Sequence, residues 1–388
     1  MQLEGRRYDT GEPCRITIDG ERIAKVAPVP ATAETRDWPW IAPALFDHQI
    51  NGHLGKSFSG PDITADDVLE TLEPHFAFGI TRMCPTICTN SFEAILEGYT
   101  AIREACEKEL WADRMVPGCH LEGPYMARED GPRGAHPLEH VRPADWDEFT
   151  KWQQASGNRI RLVTLAPEVG NAIPFIRRAV NSGVVISIGH TGATPEQIQE
   201  AVDAGARLST HLGNGAHGMI RRHPNYIWEQ LGERRLTASI ITDGHHLPAS
   251  VVRSIIGVKG PHNTIITCDC SSLAGCPPGR YDEGTVPVEI LDDGRIVVAG
   301  QRQLLAGSAQ ETDHCVATAI EMAGITLAEA IDMAGRNPAR LLGFEEIRLH
   351  SGSRADLMVF EWSGPGDRFR FLSVVQAGEV RHGALQPA

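Results

Sequence analysis

The sequence predicts an α/β protein: a (β/α)8 TIM-like barrel carrying a small discontinuous β-sandwich domain assembled from both chain ends. Three observations predict it. Eight short apolar runs recur through the middle of the 388-residue chain, and helix-patterned segments stand between many of them. The two termini have a different texture, with short alternating segments separated by turns.

The first forty residues carry RITIDGERIAKVAPV, which reads as a small antiparallel sheet, and the same texture returns in ADLMVFEW and FLSVVQAGEVRHG. Pairing of these ends divides the chain into a β-domain of residues 1–42 with 344–388 and a barrel of residues 43–343. The apolar runs are IAPALFD, ITRMCPT, MVPGCHLE, IRLVTLAPE, GVVISIGH, ARLSTHL, LTASIITDG and NTIITCD. Helical patterns such as FEAILEGYTAIREACEKEL and PEQIQEAVDAG lie between them. Eight units suit a closed barrel better than an open doubly wound sheet. Two later helices begin with capping boxes, Ser308 with Glu311 and Thr326 with Glu329, the second stopping before Asn337-Pro338.

A formal charge of −14 argues against general affinity for nucleic acid or an anionic membrane, because either needs a basic face. No apolar run approaches the roughly 20 residues that span a bilayer. Nine cysteines include no Cys-x-x-Cys pair, and Met1 to Pro13 lacks the apolar core of a signal peptide. Together these features predict buried free thiols in a reducing cytoplasm.

Barrel chemistry sits at the carboxyl ends of the strands, so polar residues terminating apolar runs carry the information. Here those ends hold Gln49 and Asn51, His120 and Glu122, His190, His211, Asp243 with His245 and His246, and Asp269. Any one of them is ordinary at a strand end. Their convergence on one mouth calls for a cation. Glu122, His190 and His211 supply three ligands from three strands and leave a position open, the pattern of a catalytic rather than a structural zinc site. His120, two residues before Glu122, is either a further ligand or a neighbour on the same side of the strand. Zinc suits imidazole and carboxylate donors, and Fe2+, Co2+ or Mn2+ fits the same set. A catalytic metal can lower the pKa of water to about 7, and Asp269 is then the candidate proton shuttle. His246 is the candidate that polarises a scissile carbonyl as an oxyanion develops.

The strings HLEGPYM, GHTGAT, THLGNGA, DGHHLP and CDCSSLAG, with GSRADLMVF near the end, occur in that order over nearly the whole chain. Together they resemble the N-acetylglucosamine-6-phosphate deacetylases of the amidohydrolase superfamily. The resemblance implies a metal-dependent barrel that cleaves the acetamide of an amino-sugar phosphate. It also implies a homodimer whose neighbouring subunit helps complete the phosphate site. An N-acetylgalactosamine-6-phosphate or a non-phosphorylated amide is the alternative substrate. A catalytically silent barrel is the alternative from another class, since fold does not fix function.

Many amidohydrolases carry His-x-His on the first strand, whereas these deacetylases often carry Gln-x-Asn, as Gln49 and Asn51 do in FDHQINGH. By strand alternation His48 points away from the mouth, and His53 falls in the following loop. The fourth run ends in Ala166, Pro167 and Glu168, with no lysine to bridge two metals, so one divalent ion per subunit is expected. The resemblance further assigns His136, within the GAH segment that starts at Gly134, to the sugar, Asn214 and Gly215 to the phosphate, and Arg222 to a phosphate-binding arginine. His246 joins the substrate contacts. Here the chain departs from its relatives, which usually read HLYNAM and GREPG where it has HLGNGAH and RRHPN.

Overall fold

A computed structural model describes residues 1–282 and 286–384. Eight parallel strands form the barrel in the order of the chain: Leu45–Ile50, Ile80–Cys88, Cys119–Glu122, Ile160–Leu165, Val185–Ile188, Leu208–Ser209, Thr237–Ile241 and Thr264–Thr267. Each expected apolar run contributes one of them. The first run is split, because Trp40–Pro43 belongs to the terminal sheet and the barrel strand starts only at Leu45.

The terminal sheet has seven strands. Gln2–Arg7, Pro13–Asp19, Arg22–Pro28 and Trp40–Pro43 come from one end, and Leu357–Glu361, Arg370–Gln376 and Glu379–Gly383 from the other. Leu357–Glu361 pairs antiparallel with Trp40–Pro43, which joins the two ends of the chain in one sheet.

Helices start where local chemistry satisfies their free N–H groups. Thr194 and Gln197 form a capping box ahead of Pro195–Ala204, and Thr326 and Glu329 form the expected one ahead of Leu327–Met333. Ser308 and Glu311 form none: Glu311 is itself the N-cap residue of Thr312–Ala323 and makes no side-chain cap. The Ser308 hydroxyl donates to Asp243 instead. The helix Leu327–Met333 stops before Asn337-Pro338 as expected, and the pair lies in the first turn of a further helix, Arg336–Leu342, where a proline costs no helical hydrogen bond.

The barrel interior is filled in layers. At the bottom Phe46, Cys84, Leu162, Leu208 and Ile265, from five strands, pack with Ala339 and Leu342. Above them lies a polar layer. The His120 ring meets Thr164 Oγ1 through Nε2 at 2.8 Å, and the chain continues from Thr164 to Thr210 at 2.7 Å. His48 belongs to this layer, its ring stacked on His120 at 6.5 Å between centroids. The expectation that His48 turns away is therefore wrong. The Asp47 carboxylate takes the Gln49 backbone N–H at 2.9 Å, and pairing with the second strand shifts register between Asp47 and Ile50. This bulge breaks the alternation, so His48 and Gln49 both reach inward.

The first and last strands meet at a thin seam. Ile50 and Cys270 form a single bridge, with Asn51 N–H donating to Cys270 O at 2.9 Å. Asp47 reinforces it by accepting the Cys268 N–H at 2.9 Å and the Thr312 hydroxyl at 2.7 Å. A four-stranded sheet of Gly279–Tyr281, Val288–Ile290, Ile296–Val298 and Gln301–Leu305, which the sequence does not predict, follows the last barrel strand and lines one side of the mouth.

Candidate metal centre at the barrel mouth

Glu122 ends the third strand, while His190 and His211 sit just beyond the fifth and sixth. His190, His211 and Asp269 all have positive φ, at 50°, 28° and 49°. Non-glycine residues rarely hold this conformation, and strain of this kind gathers at functional sites. All four side chains are buried, at most 9% exposed, yet they line one cleft of about 1480 Å³.

The geometry brings the three expected ligands together. Glu122 Oε1 lies 3.2 Å from His190 Nε2 and 3.2 Å from His211 Nε2, and the two nitrogens are 3.1 Å apart. A tetrahedral zinc ion with bonds of about 2.0–2.1 Å has ligand-to-ligand edges of about 3.3 Å, so the triangle matches one face of such a tetrahedron. Its fourth vertex is open.

The protonation pattern supports a cation. His190 Nδ1 meets Pro132 O at 2.9 Å and can only donate there, so a neutral His190 presents a lone pair at Nε2. That lone pair faces the His211 nitrogen and the Glu122 oxygen, an arrangement that a divalent ion satisfies at once. The Pro132 bond is the kind of outer contact that orients a metal-bound imidazole. Burial alone would raise the Glu122 carboxyl, but the His190 and His211 rings outweigh it and hold it well below the usual range. The residues present fit one divalent metal at this centre.

Backbone crowds the His190 ring from two sides. A Cβ on Gly215, where φ is 56°, would stand 2.9 Å from His190 Nδ1, and one on Gly134, where φ is 60°, would stand 3.2 Å from Cε1. A side chain at Gly215 would clash with the ring, and one at Gly134 would press on it. His136 packs edge-on against His190 at 4.4 Å between centroids and meets Thr89 Oγ1 through Nδ1 at 2.9 Å. Glu122, His136 and His190 each offer a ligand atom within 4.8 Å of the others, but the triangle with His211 is tighter. Burial first, then repulsion from His190, pushes the His136 ring down to about 3. His120 has no nitrogen to spare, since Thr164 takes Nε2 at 2.8 Å and Thr86 approaches Nδ1 at 3.4 Å.

Gln49 and Asn51 organise the carboxylates. Gln49 Nε2 donates to Glu122 Oε1 and to Asp269 Oδ1, both at 3.0 Å, and Asn51 Nδ2 donates to the same Asp269 oxygen at 2.8 Å. Asp269 is left with Oδ2 for other work. Burial first and the Glu122 charge second push its carboxyl up to about 6.

His246 is held from behind. Asp243 Oδ1 accepts its backbone N–H at 2.9 Å, Asp243 Oδ2 takes Nδ1 at 2.8 Å, and Ser308 donates to that same Oδ2 at 3.0 Å. Burial opposes ionisation of Asp243, but the His246 contacts prevail and keep it well below the usual range. The sequence reading noted Asp243 only as a strand end; its three-residue spacing to His246 was the available signal. Ser308, remote in sequence, left none.

Asn214 and Gly215 line the cleft, whereas Arg222 is exposed and is not among the residues that line it. Glu168, at the end of the fourth strand, is turned away, accepting from Thr191 Oγ1 and from Gly192 N at 2.6 Å each. No helix among the described residues is long and apolar enough to cross a membrane, and all nine cysteines are free thiols.

Comparison with known proteins agrees with this geometry. The family model described as "Amidohydrolase family" matches residues 40–381. The chain is 32% identical over 343 residues to N-acetylgalactosamine-6-phosphate deacetylase of Escherichia coli O157:H7, covering 87% of this chain and 88% of that protein. It is 31% identical to N-acetylglucosamine-6-phosphate deacetylase of Bos taurus, covering 83% and 79%. Among solved structures, N-acetyl-D-glucosamine-6-phosphate deacetylase of Mycobacterium smegmatis superposes with a TM-score of 0.87 at 28% identity, over 98% of this chain and 99% of that one. The same enzyme has been solved as a mutant in complex with N-acetyl-D-glucosamine-6-phosphate. A barrel mouth with this donor set and a profile match over most of its length establish that the chain belongs to the amidohydrolase family.

Proposed function

We propose that this protein removes the acetyl group from an N-acetyl amino-sugar 6-phosphate, N-acetylglucosamine-6-phosphate first, releasing acetate and the free amine. The observation that carries the proposal is the Glu122–His190–His211 triangle standing beside Asp269 in one open cleft. The metal held by that triangle is zinc, and when bound it supplies Lewis acidity toward the acetamide carbonyl and the attacking water. The catalytic unit is the barrel of residues 43–343, accompanied by the small β-domain assigned to residues 1–42 and 344–388, of which 385–388 lie outside the described residues.

Asp269 is the base that takes the proton from water at attack. Gln49 and Asn51 fix Oδ1, so Oδ2 takes the proton and then delivers it to the departing sugar nitrogen. A carboxyl pushed up to about 6, by burial first and the Glu122 charge second, can both accept and return a proton near neutral pH. His246 stabilises the oxyanion. Asp243 holds its Nδ1, which aims the opposite edge of the ring, with Nε2, at the cleft where the charge develops. His136, Asn214 and Gly215 position the sugar and its phosphate along the wall of the cleft.

Phosphate recognition draws on a second copy of the chain. Within the cleft Lys56 is paired with Asp67 at 2.6 Å and Glu70 at 2.5 Å, Arg295 with Asp293 at 2.8 Å, and Arg302 more loosely with Glu289 at 3.6 Å. Arg222 is exposed, on a loop whose Met219 is 94% exposed, and in a homodimer this loop reaches the neighbouring mouth. The free thiols suit a reducing cytoplasm. A galacto-configured 6-phosphate is the second reading, supported by similarity to the Escherichia coli O157:H7 deacetylase. The test is acetate release from the gluco and galacto 6-phosphates and from plain N-acetylglucosamine. Equal turnover of the plain sugar would remove the phosphate from the proposal, and no acetate from any of the three would remove the activity.

A further inference from the structure

A second cluster of ligand-type side chains lies away from the mouth. His53, His75, Cys270 and Glu311 each offer one ligand atom within 4.8 Å of the others, and all four are buried. They come from four places in the fold: the loop after the first strand, the 3-10 turn Glu73–Phe78, the segment after the last strand, and the residue ahead of helix Thr312–Ala323. None of them belongs to the centre described above.

Their internal bonding is incomplete in a telling way. His75 Nδ1 donates to Thr71 O at 2.9 Å, so the neutral ring turns a lone pair at Nε2 toward Glu311 Oε2, 3.6 Å away. Neither of these two buried atoms has a hydrogen-bond partner. Burial lowers the pKa of the His75 ring and so favours that neutral form. His53 Nδ1 approaches Glu311 Oε1 to 2.9 Å without the angle of a hydrogen bond, and Cys270 Sγ lies 3.2 Å from the same oxygen. Buried polar atoms normally find partners, and acceptors facing one another need a positive charge between them.

We propose that His53, His75, Cys270 and Glu311 form a second, closed zinc site that staples the seam between the first and last barrel strands. Four protein donors including a cysteine are the mark of a structural rather than a catalytic site. The three contacts to the Glu311 carboxylate, at 2.9 and 3.2 Å to Oε1 and 3.6 Å to Oε2, lie near the tetrahedral edges of about 3.3–3.6 Å that bonds of about 2.0–2.3 Å give, and all four donors lie within 4.8 Å of one another. The charges also balance. One carboxylate and one thiolate neutralise a divalent ion, and both imidazoles stay neutral. The Thr71 carbonyl supplies the outer contact that fixes the His75 tautomer. The staple falls beside the single Ile50–Cys270 bridge that joins the first and last barrel strands.

X-ray absorption at the zinc edge tests this directly, provided the other nearby sulfur is removed. Cys88 Sγ stands 3.5 Å from Glu122 Oε2 at the mouth, so the sample is the Cys88→Ala protein. A sulfur shell at about 2.3 Å is expected, and a spectrum with nitrogen and oxygen scatterers alone overturns the site. Metal counting gives an independent reading. The H190N/H211N double variant, which removes two ligands of the mouth centre, is expected to retain about one zinc per chain, and adding Cys270→Ser is expected to abolish it. A folded H190N/H211N protein free of zinc after purification in zinc-containing buffer contradicts the proposal. Should Cys270→Ser fail to fold, the absorption spectrum still decides.

Discussion

The mouth of the barrel and the layer directly beneath it are built from similar residues and do different work. Both contain buried histidines: His190 and His211 above, His48 and His120 below. In the lower layer hydroxyls approach both nitrogens of His120, with Thr164 at 2.8 Å and Thr86 at 3.4 Å. In the upper layer one His190 nitrogen is spent on Pro132, and the other meets a carboxylate and a second imidazole. Burial and residue type are shared, so neither decides the role. What decides is what the nitrogens face: both nitrogens of His120 face hydroxyls, whereas His190 Nε2 faces a carboxylate and a second imidazole. His48 has no hydrogen-bond partner at either nitrogen and is held in the lower layer by stacking on His120.

Changing the upper layer has the largest expected effect. His211→Asn should lose the mouth metal and lower kcat/KM by about 10³ to 10⁴-fold, the equivalent of several kcal/mol of charge stabilisation. Metal analysis beside acetate release checks it; a loss of activity with the mouth metal retained would break the comparison. Asp269→Asn should keep the metal and lower turnover by about 10² to 10⁴-fold, so wild-type-like turnover removes Asp269 from the mechanism. Asp243→Asn acts one step further out. Weakening the hold on His246 Nδ1 should cost about 10 to 100-fold in kcat, the range seen when an outer contact is lost, with KM little changed.

The lower layer should respond in stability and not in chemistry. Thr164→Val leaves His120 Nε2 without a partner, while Thr210 Oγ1 keeps Ser187 Oγ, at a cost of about 1–3 kcal/mol in urea denaturation. Its metal content should match the wild type. Arg222→Ala is the smallest change. It should raise KM for the 6-phosphate and leave a plain N-acetyl sugar unaffected, and an equal rise for both would detach Arg222 from the phosphate.

Much of the upper layer is legible in the sequence because barrel strands announce their own ends. Each of Glu122, His190 and His211 closes an apolar run, and such runs place their last residue at the mouth whatever the loop lengths between them. The lower layer is hidden, since Thr164, Ser187 and Thr210 look like ordinary strand residues. His48 was misplaced because period-two alternation assumes an unbroken strand, and the Asp47 carboxylate that bulges this one by taking the Gln49 N–H is held by Cys268 and Thr312, far along the chain. Glu311 shows the same limit. Its spacing from Ser308 satisfies the capping-box pattern, but each side chain has a stronger tertiary partner, Asp243 for Ser308 and the His53–Cys270 group for Glu311. The four-stranded sheet lining one side of the mouth escaped because its strands are short, three to five residues each, and carry little periodic signal.

The central claim is that one divalent ion sits on the Glu122–His190–His211 face and is needed for amide cleavage. Anomalous diffraction from crystals of the active protein tests it most directly. A peak about 2.0–2.2 Å from Glu122 Oε1, His190 Nε2 and His211 Nε2 alike is the predicted result. Full acetate release by protein with no anomalous density at that point would contradict it.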